Sequence, residues 1–350
     1  MRNLFQLTIS ALIINIIMSF PVCNAQNAMI DIREVPGQNR VEIKIDGQPF
    51  TSYIWPEDME KPVLYPLRTS EGTLITRGFP LDPRPGERVD HPHHVGNWLN
   101  YGDVNGLDFW NNSYAIPENE KHKYGSITHE RIIKTESGAG EGTLEVECSW
   151  RNSKGEILLT EVTRFVFSGA EGVRTIERYT TLTATNDEVN FNDNKEGLFA
   201  IRMDRAFEFP STNPEVFTDS EGNPTEVKVM NNEGVNGRYL SSEGIKDEKV
   251  WGTRAEWMSL SAKKEGEEIS VVIIDHPDNP GYPTYWHART YGLFSANPLG
   301  QSVFTEGKKT LNFKLDTGES VTFKFKVLIK SGKFAKKREL NSVADEFSKN

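Results

Sequence analysis

The chain has 350 residues, with 40 Lys and Arg against 50 Asp and Glu, for a formal net charge of −10. An acidic surface argues against nucleic acid and anionic membranes as partners. With 37% hydrophobic residues, this length can bury a substantial core.

The N-terminus has the form of an export signal. Arg2 supplies the positive start, residues 4–20 are apolar and uncharged, and Cys23-Asn24-Ala25 offers small residues before a cut. The expectation is a leader over 1–25 and one domain over 26–350, exported to the periplasm or beyond, with no membrane contact after cleavage. A membrane anchor is the competing expectation for the same run. No later segment approaches the roughly 20 apolar residues that a span needs. Cys148 is then the last thiol, so no internal disulfide can form. It shares a strand face with Leu144, Val146 and Trp150, which marks it as a buried structural residue.

From Gln26 onward the pattern is strand after strand. Residues 41–45 alternate, Asp46-Gly47 signals a turn, and 50–54 can return as a hairpin. A short strand is expected at 74–79, and then Pro83 and Pro85 forbid a ladder. Residues 127–133, 143–150, 157–167 and 173–183 read as strands broken by glycines, an antiparallel meander. Residues 196–209 continue it, with Arg202 among apolar residues. Residues 212–249 read as long excursions, 269–275 as a buried strand, and 311–315 with 321–329 as a hairpin across Thr317-Gly318-Glu319. Only 335–347 reads as a helix, with Leu340, Val343, Ala344 and Phe347 on one stripe. A dozen or so strands and almost no helix predict an all-β fold, a large antiparallel β-sandwich with a short C-terminal helix.

Two clusters carry chemistry. The first runs from Val89 to Trp110 and holds His91, His93, His94, Trp98, Asp103, Asn105, Asp108 and Trp110. Imidazoles titrate near neutral pH, so this density fits acid/base work, a metal site, or the floor of a polar binding cleft. In an extended segment His91 and His93 would share one side and His94 the other. The second cluster follows the buried strand: Asp275-His276-Pro277, then Pro283-Thr284-Tyr285-Trp286-His287-Ala288-Arg289. Trp286 is a candidate stacking platform, and Arg289 can hold an anion by a bidentate pair. Glu196 and Arg202 either pair in the interior or face the cleft, and His129 either lines the cleft or is a wall residue. No Walker loop, G-x-G-x-x-G, G-x-S-x-G or C-x-x-C is present, so no cofactor is expected.

At Asp90-His91-Pro92-His93-His94, Gly102-Asp103-Val104-Asn105-Gly106-Leu107-Asp108-Phe109-Trp110, His276-Pro277 and Pro283-Thr284-Tyr285-Trp286-His287-Ala288-Arg289, the chain resembles a family of exported bacterial proteins labelled PmoA-like, or methane-oxygenase-related. The likeness runs over residues 35–330. A true particulate methane monooxygenase subunit sits in the membrane on several spanning helices, which this chain lacks after its leader, so the label does not describe an activity. The resemblance implies instead a galactose-mutarotase-like β-sandwich (a supersandwich) acting on carbohydrates.

The expectation is an exported carbohydrate-active enzyme that works on a glycoside or modified sugar by hydrolysis, elimination or epimerisation. His93 or His94 would take a proton and His287 would give one, while Arg289 or Arg202 steadies anionic charge. His91, Trp98, Asp103, Asn105, Asp108, Trp110, His129, Glu196 and Trp286 would contact the carbohydrate. Asp103 or Asp108 could also pair with Glu196 as two glycosidase carboxylates. Two rivals come from other classes: a non-catalytic glycan-binding protein, and a metal-dependent hydrolase or oxygenase built on His91, His93 and a carboxylate. The acid/base expectation makes a spatial demand, that His93 or His94 and His287 face one cleft.

Overall fold

The computed structural model describes residues 27–350; the leader expected at 1–25 lies outside them. Two large antiparallel sheets dominate. The nine-stranded sheet runs, edge to edge, Tyr285–Ala288, Leu293–Asn297, Gly197–Arg202, Asn97–Tyr101, Val63–Leu64, Gln48–Ile54, Arg40–Ile45, Met29–Glu34 and Gly138–Ala139. The eight-stranded sheet runs Arg238–Ser241, Trp257–Lys264, Glu267–Asp275, Ser320–Lys330, Val173–Ala184, Ile157–Ala170, Glu141–Arg151 and Ser126–Glu136. The all-β expectation holds, and the predicted meander is the last four strands of the second sheet. Among the described residues, no helix is long and apolar enough to cross a membrane.

Alternation explains how the sheets stack. In Arg40–Ile45 the side chains of Val41, Ile43 and Ile45 are buried and those between them are not. They join Leu144, Val146, Phe165, Phe167 and Ile176 from the other sheet in one shared core. Cys148 is buried and free there, as its strand face predicted. The helix Lys337–Phe347 covers part of the eight-stranded sheet's other face, setting Leu340, Ala344 and Phe347 on Trp257, Val272, Ile274 and Leu328.

Three local expectations need correction. Residues 74–79 make only isolated bridges, Arg68 with Leu74 and Thr76 with Met203. Residues 311–329 do not form a hairpin: Phe313–Leu315 pairs with Val189–Phe191, while Ser320–Lys330 lies between Val173–Ala184 and Glu267–Asp275. A glycine turn permits a hairpin, but two long apolar partners offer Ser320–Lys330 more ladder and more burial. Residues 196–209 do not continue the meander: Gly197–Arg202 sits in the nine-stranded sheet between Leu293–Asn297 and Asn97–Tyr101, the latter a strand whose burial on both faces hides its alternation.

The functional geometry sits on the nine-stranded sheet's outer face. Across four adjacent strands, the register sets His287 beside Ser295, Ser295 beside Ala200, and Ala200 beside Trp98. Arg202 lies beside Leu293 on the same face.

Candidate functional site

The first cluster is a turn, not an extended segment. His91 has φ 42°, in the left-handed region, and the His94 amide donates to the His91 carbonyl at 2.9 Å. The expected split, His91 with His93 against His94, is therefore wrong. The His91 and His94 rings lie parallel, 4.8 Å apart at 1°, and His93 stands edge-on to both. Gly96 returns the chain to the sheet with φ 58°, where a Cβ would come within 2.3 Å of the Leu64 carbonyl oxygen.

Buried cations hold the turn. Arg77, 1% exposed, donates to the carbonyls of Arg88 (3.3 Å), Asp90 (2.8 Å), His91 (2.9 Å) and His94 (3.1 Å). Lys61 Nζ donates to the His93 carbonyl at 2.7 Å. Asp90 joins these pieces. It accepts from Arg77 and, at 2.6 Å, from Arg202, and its other oxygen lies 2.8 Å from His91 Nδ1. Burial works to raise the Asp90 pKa, but the His91 hydrogen bond and the Arg202 and Arg77 charges hold it well below the usual carboxylate range.

The result is a column of rings running from the surface to the sheet. Tyr291 stacks on His91 at 5.2 Å, His91 on His94 at 4.8 Å, and His94 on Trp98 at 5.4 Å. Accessibility falls along it. The His91 side chain is 41% exposed, whereas His94 and Trp98 are buried. Burial, with the Lys61 and His91 charges, lowers the His93 pKa to about 2, and burial lowers that of His94 well below the ordinary histidine value. Both are neutral rings at physiological pH. His93 Nε2, His94 Nε2 and the nearby Trp110 Nε1 are buried without a hydrogen-bond partner.

The second wall comes from the far edge of the same sheet. His287 points outward from its strand, and Trp251 Nε1 donates to its Nδ1 at 3.3 Å. The imidazole proton is thereby assigned to Nε2, which faces Glu196 Oε2 at 3.5 Å. Burial, then the Lys195 and Arg289 charges, lowers the His287 pKa to about 3. Glu196 is presented by a loop whose Asn194 and Lys195 carbonyls accept from Asn297 Nδ2, both at 2.9 Å. The two walls sense each other. The charges of Arg202, Arg289, Glu196 and Asp90 all act on Tyr291, and the charge of His91 acts on His287.

Several candidate residues lie elsewhere. Trp286 points into the inter-sheet core against Phe294, its Nε1 donating to the Ala255 carbonyl at 3.0 Å, because strand alternation sends it opposite to His287. His129 is on the eight-stranded sheet, stacked on Trp55 and bonded to Tyr53. Asp103 and Asn105 shape a turn against Asn192 and Asn190. Asp108 is an exception: it accepts from the Asn111 amide and side chain, and burial and the Glu196 charge raise its pKa, which places it on the Glu196 side of the cleft. Trp98 and Trp110 pack under the turn with Ala200 and Leu293, as flooring and not as an open platform. His91, His94, Arg202, Glu196, His287 and Arg289 are brought together. Asp90, Arg77, Tyr291 and Trp251 were not anticipated. Asp90 had a signal, its place directly before His91; the other three had none.

A cavity of about 410 Å³ lined by Arg88, Phe209, Ser211, Glu215 and Tyr291 adjoins the column. A roomier one, about 570 Å³, lies by Arg84, Phe217 and Met230. There Arg84 pairs with Glu87 and Lys264 with Asp204, while Arg205 donates to the Gly86 carbonyl at 3.1 Å and to the Asn231 carbonyl at 2.5 Å. Among the described residues, no three His, Cys, Asp or Glu side chains are grouped to hold a metal ion.

The fold and the site define an all-β, two-sheet scaffold that gathers His, Glu and Arg side chains on the outer face of one sheet. Residues 40–345 match the family described as Family of unknown function (DUF6807), and the chain belongs to it. This match overturns the PmoA-like assignment, which rested on short motifs. No curated protein matches the chain. Among solved structures, a galactose mutarotase-like protein from Clostridium acetobutylicum is 11% identical, covering 87% of this chain and 99% of that one, with a TM-score of 0.38. Galactose 1-epimerase from Lactobacillus acidophilus NCFM is 8% identical over 88% and 100%, with a TM-score of 0.34. The GH36 α-galactosidase AgaB from Geobacillus stearothermophilus is 12% identical over 86% of this chain, with a TM-score of 0.35, and this chain spans 41% of its length. None of these superpositions is close enough to transfer an activity.

Proposed function

We propose that this protein is a carbohydrate-active enzyme whose proton-transfer pair is His91 and Glu196. The observation that carries the proposal is the accessible His91 ring, fixed by Asp90 at Nδ1 and sandwiched between Tyr291 and His94, with Nε2 left for a ligand. Asp90 orients the ring and balances the proton it carries, as a carboxylate does for an imidazole in hydrolytic sites. Arg202 and Arg77 keep Asp90 ionised so that it can do so.

The accessible His91 takes the role expected of His93 or His94: both are neutral rings, His94 buried beneath His91 and His93 half-buried, lining a separate cavity of about 300 Å³ with Lys61 and Ser113. Glu196 supplies a carboxylate to accept a proton from a sugar hydroxyl or carbon, and His287 holds it from behind. His91 Nε2 gives a proton to the oxygen that gains charge, and Arg202, over the Tyr291 ring at 5.0 Å, adds positive potential there. The exposed part of the ring column, Tyr291 and His91, offers a face for a sugar to rest on.

Hydrolysis, elimination and epimerisation can all start from this pair, and product mass separates them: a gain of water, an unsaturated product with a released group, or no change. Purified protein and His91→Asn are incubated with a panel of plain and oxidised glycosides and read by mass spectrometry, with binding followed by calorimetry. The proposal expects turnover by wild type and, in His91→Asn, a loss of turnover far larger than the loss of binding from the missing ring contact. Binding without turnover by wild type would make this a glycan-binding protein.

A further inference from the structure

We infer that the carbohydrate bound in this cleft carries a carboxylate, and that Arg289 is the residue that selects it. This rests on the carbohydrate proposal above and names the substrate class within it. Arg289 is exposed at the rim. Among the described residues its side chain makes no ion pair and no hydrogen bond. Its guanidinium instead lies over two rings, 5.9 Å from the centroid of Trp251 and 5.6 Å from that of Tyr291. These contacts hold the planar group while leaving its N–H fork open.

Both rings belong to the cleft, since Trp251 fixes His287 and Tyr291 caps the ring column. Arg289 lies over Tyr291, which stacks on His91, and over Trp251, which bonds the His287 that faces Glu196 at 3.5 Å, so an anion on Arg289 would lie beside the proton-transfer pair. The charge balance favours an anion too. Arg77 and Arg202 share the single carboxylate of Asp90, and Arg289 has none, although the chain as a whole carries −10. With Lys195 on Glu196, four cations, Arg77, Arg202, Arg289 and Lys195, face the two carboxylates of Asp90 and Glu196, a local positive excess on an acidic protein. A carboxylate fits the planar fork in a bidentate pair, which a neutral hydroxymethyl group cannot match.

The test is calorimetric binding of D-galacturonate and D-glucuronate against D-galactose and D-glucose, to wild type, Arg289→Gln and Arg289→Lys. The expected result is at least about tenfold tighter binding of a sugar acid than of its neutral counterpart by wild type, weakened by added salt. Arg289→Gln brings sugar-acid affinity down to that of the neutral counterpart, and Arg289→Lys keeps only part of the preference, because a point charge replaces a fork. Equal binding of acid and neutral sugars by wild type overturns the inference and leaves the carbohydrate proposal standing, as does a preference that survives in Arg289→Gln. No binding of any of the four overturns the inference, and the glycoside panel then decides the proposal separately.

Discussion

The two histidine-rich segments look alike as strings of His, Pro and aromatic residues, yet the fold treats them in opposite ways. Residues 90–94 stay together, because Arg77, Lys61 and Asp90 tie one tight turn into a column of stacked rings. Residues 275–289 are dispersed. His276 packs on Phe347 of the C-terminal helix, Trp286 enters the core, and His287 alone reaches the cleft, with Arg289 at its rim. A density of functional residue types therefore does not make a site. What makes one is a set of buried cations that fixes a turn, or a strand parity that aims one side chain out.

The contrast can be broken by substitution. The largest expected effect is on His91: His91→Asn should lower turnover by about 10²- to 10⁴-fold, the usual worth of a positioned acid or base, with an unchanged melting temperature. Next come two stability effects of about 3–5 kcal/mol in urea unfolding. Asp90→Asn leaves two buried guanidinium groups without their carboxylate, and Trp286→Ala empties a fully buried indole site between the sheets. If Trp286→Ala proves neutral for stability and abolishes sugar binding, the parity argument fails.

A smaller effect is read in pH. The folded-state pKa of His287 is depressed to about 3, whereas an unfolded histidine titrates near about 6.5. The unfolded chain thus binds the proton first as pH falls. The stability is fully present above about 6.5 and is lost as pH falls toward about 3, by at most about 1.4 kcal/mol per pH unit for each such ring. His93 and His94 add to the same slope. Unfolding free energies at pH 7 and pH 4.5 should converge in His287→Asn relative to wild type; an identical slope would mean that His287 is not a buried neutral ring. The smallest effect is expected for His276→Asn, which should leave turnover within about twofold of wild type, because this ring lies with the helix and not in the cleft.

Much of the fold was legible from the chain. Alternation placed most strands of the eight-stranded sheet and the first hairpin of the nine-stranded one, and the stripe of Leu340, Ala344 and Phe347 placed the helix. Alternation failed where both sheet faces are covered, as in Asn97–Tyr101 and Leu293–Asn297, whose residues are all buried. It also could not choose partners, hence the false hairpin at 311–329. At the site, His91, His287 and Arg289 were visible as residue types. Their roles depend on contacts far apart in sequence: Asp90 with Arg202, Tyr291 with His91, and Trp251 with His287. The parity of 285–288 was available all along, since a strand carrying Trp286 inward must turn His287 outward.

The most direct test of the central claim is a crystal structure of Glu196→Gln soaked with a sugar that wild type binds. The account predicts the ring seated on the outer face of the nine-stranded sheet, against Tyr291 and His91, with an oxygen within hydrogen-bond distance of His91 Nε2. A sugar seated at His129 and Trp55, or one that leaves His91 untouched, would contradict it.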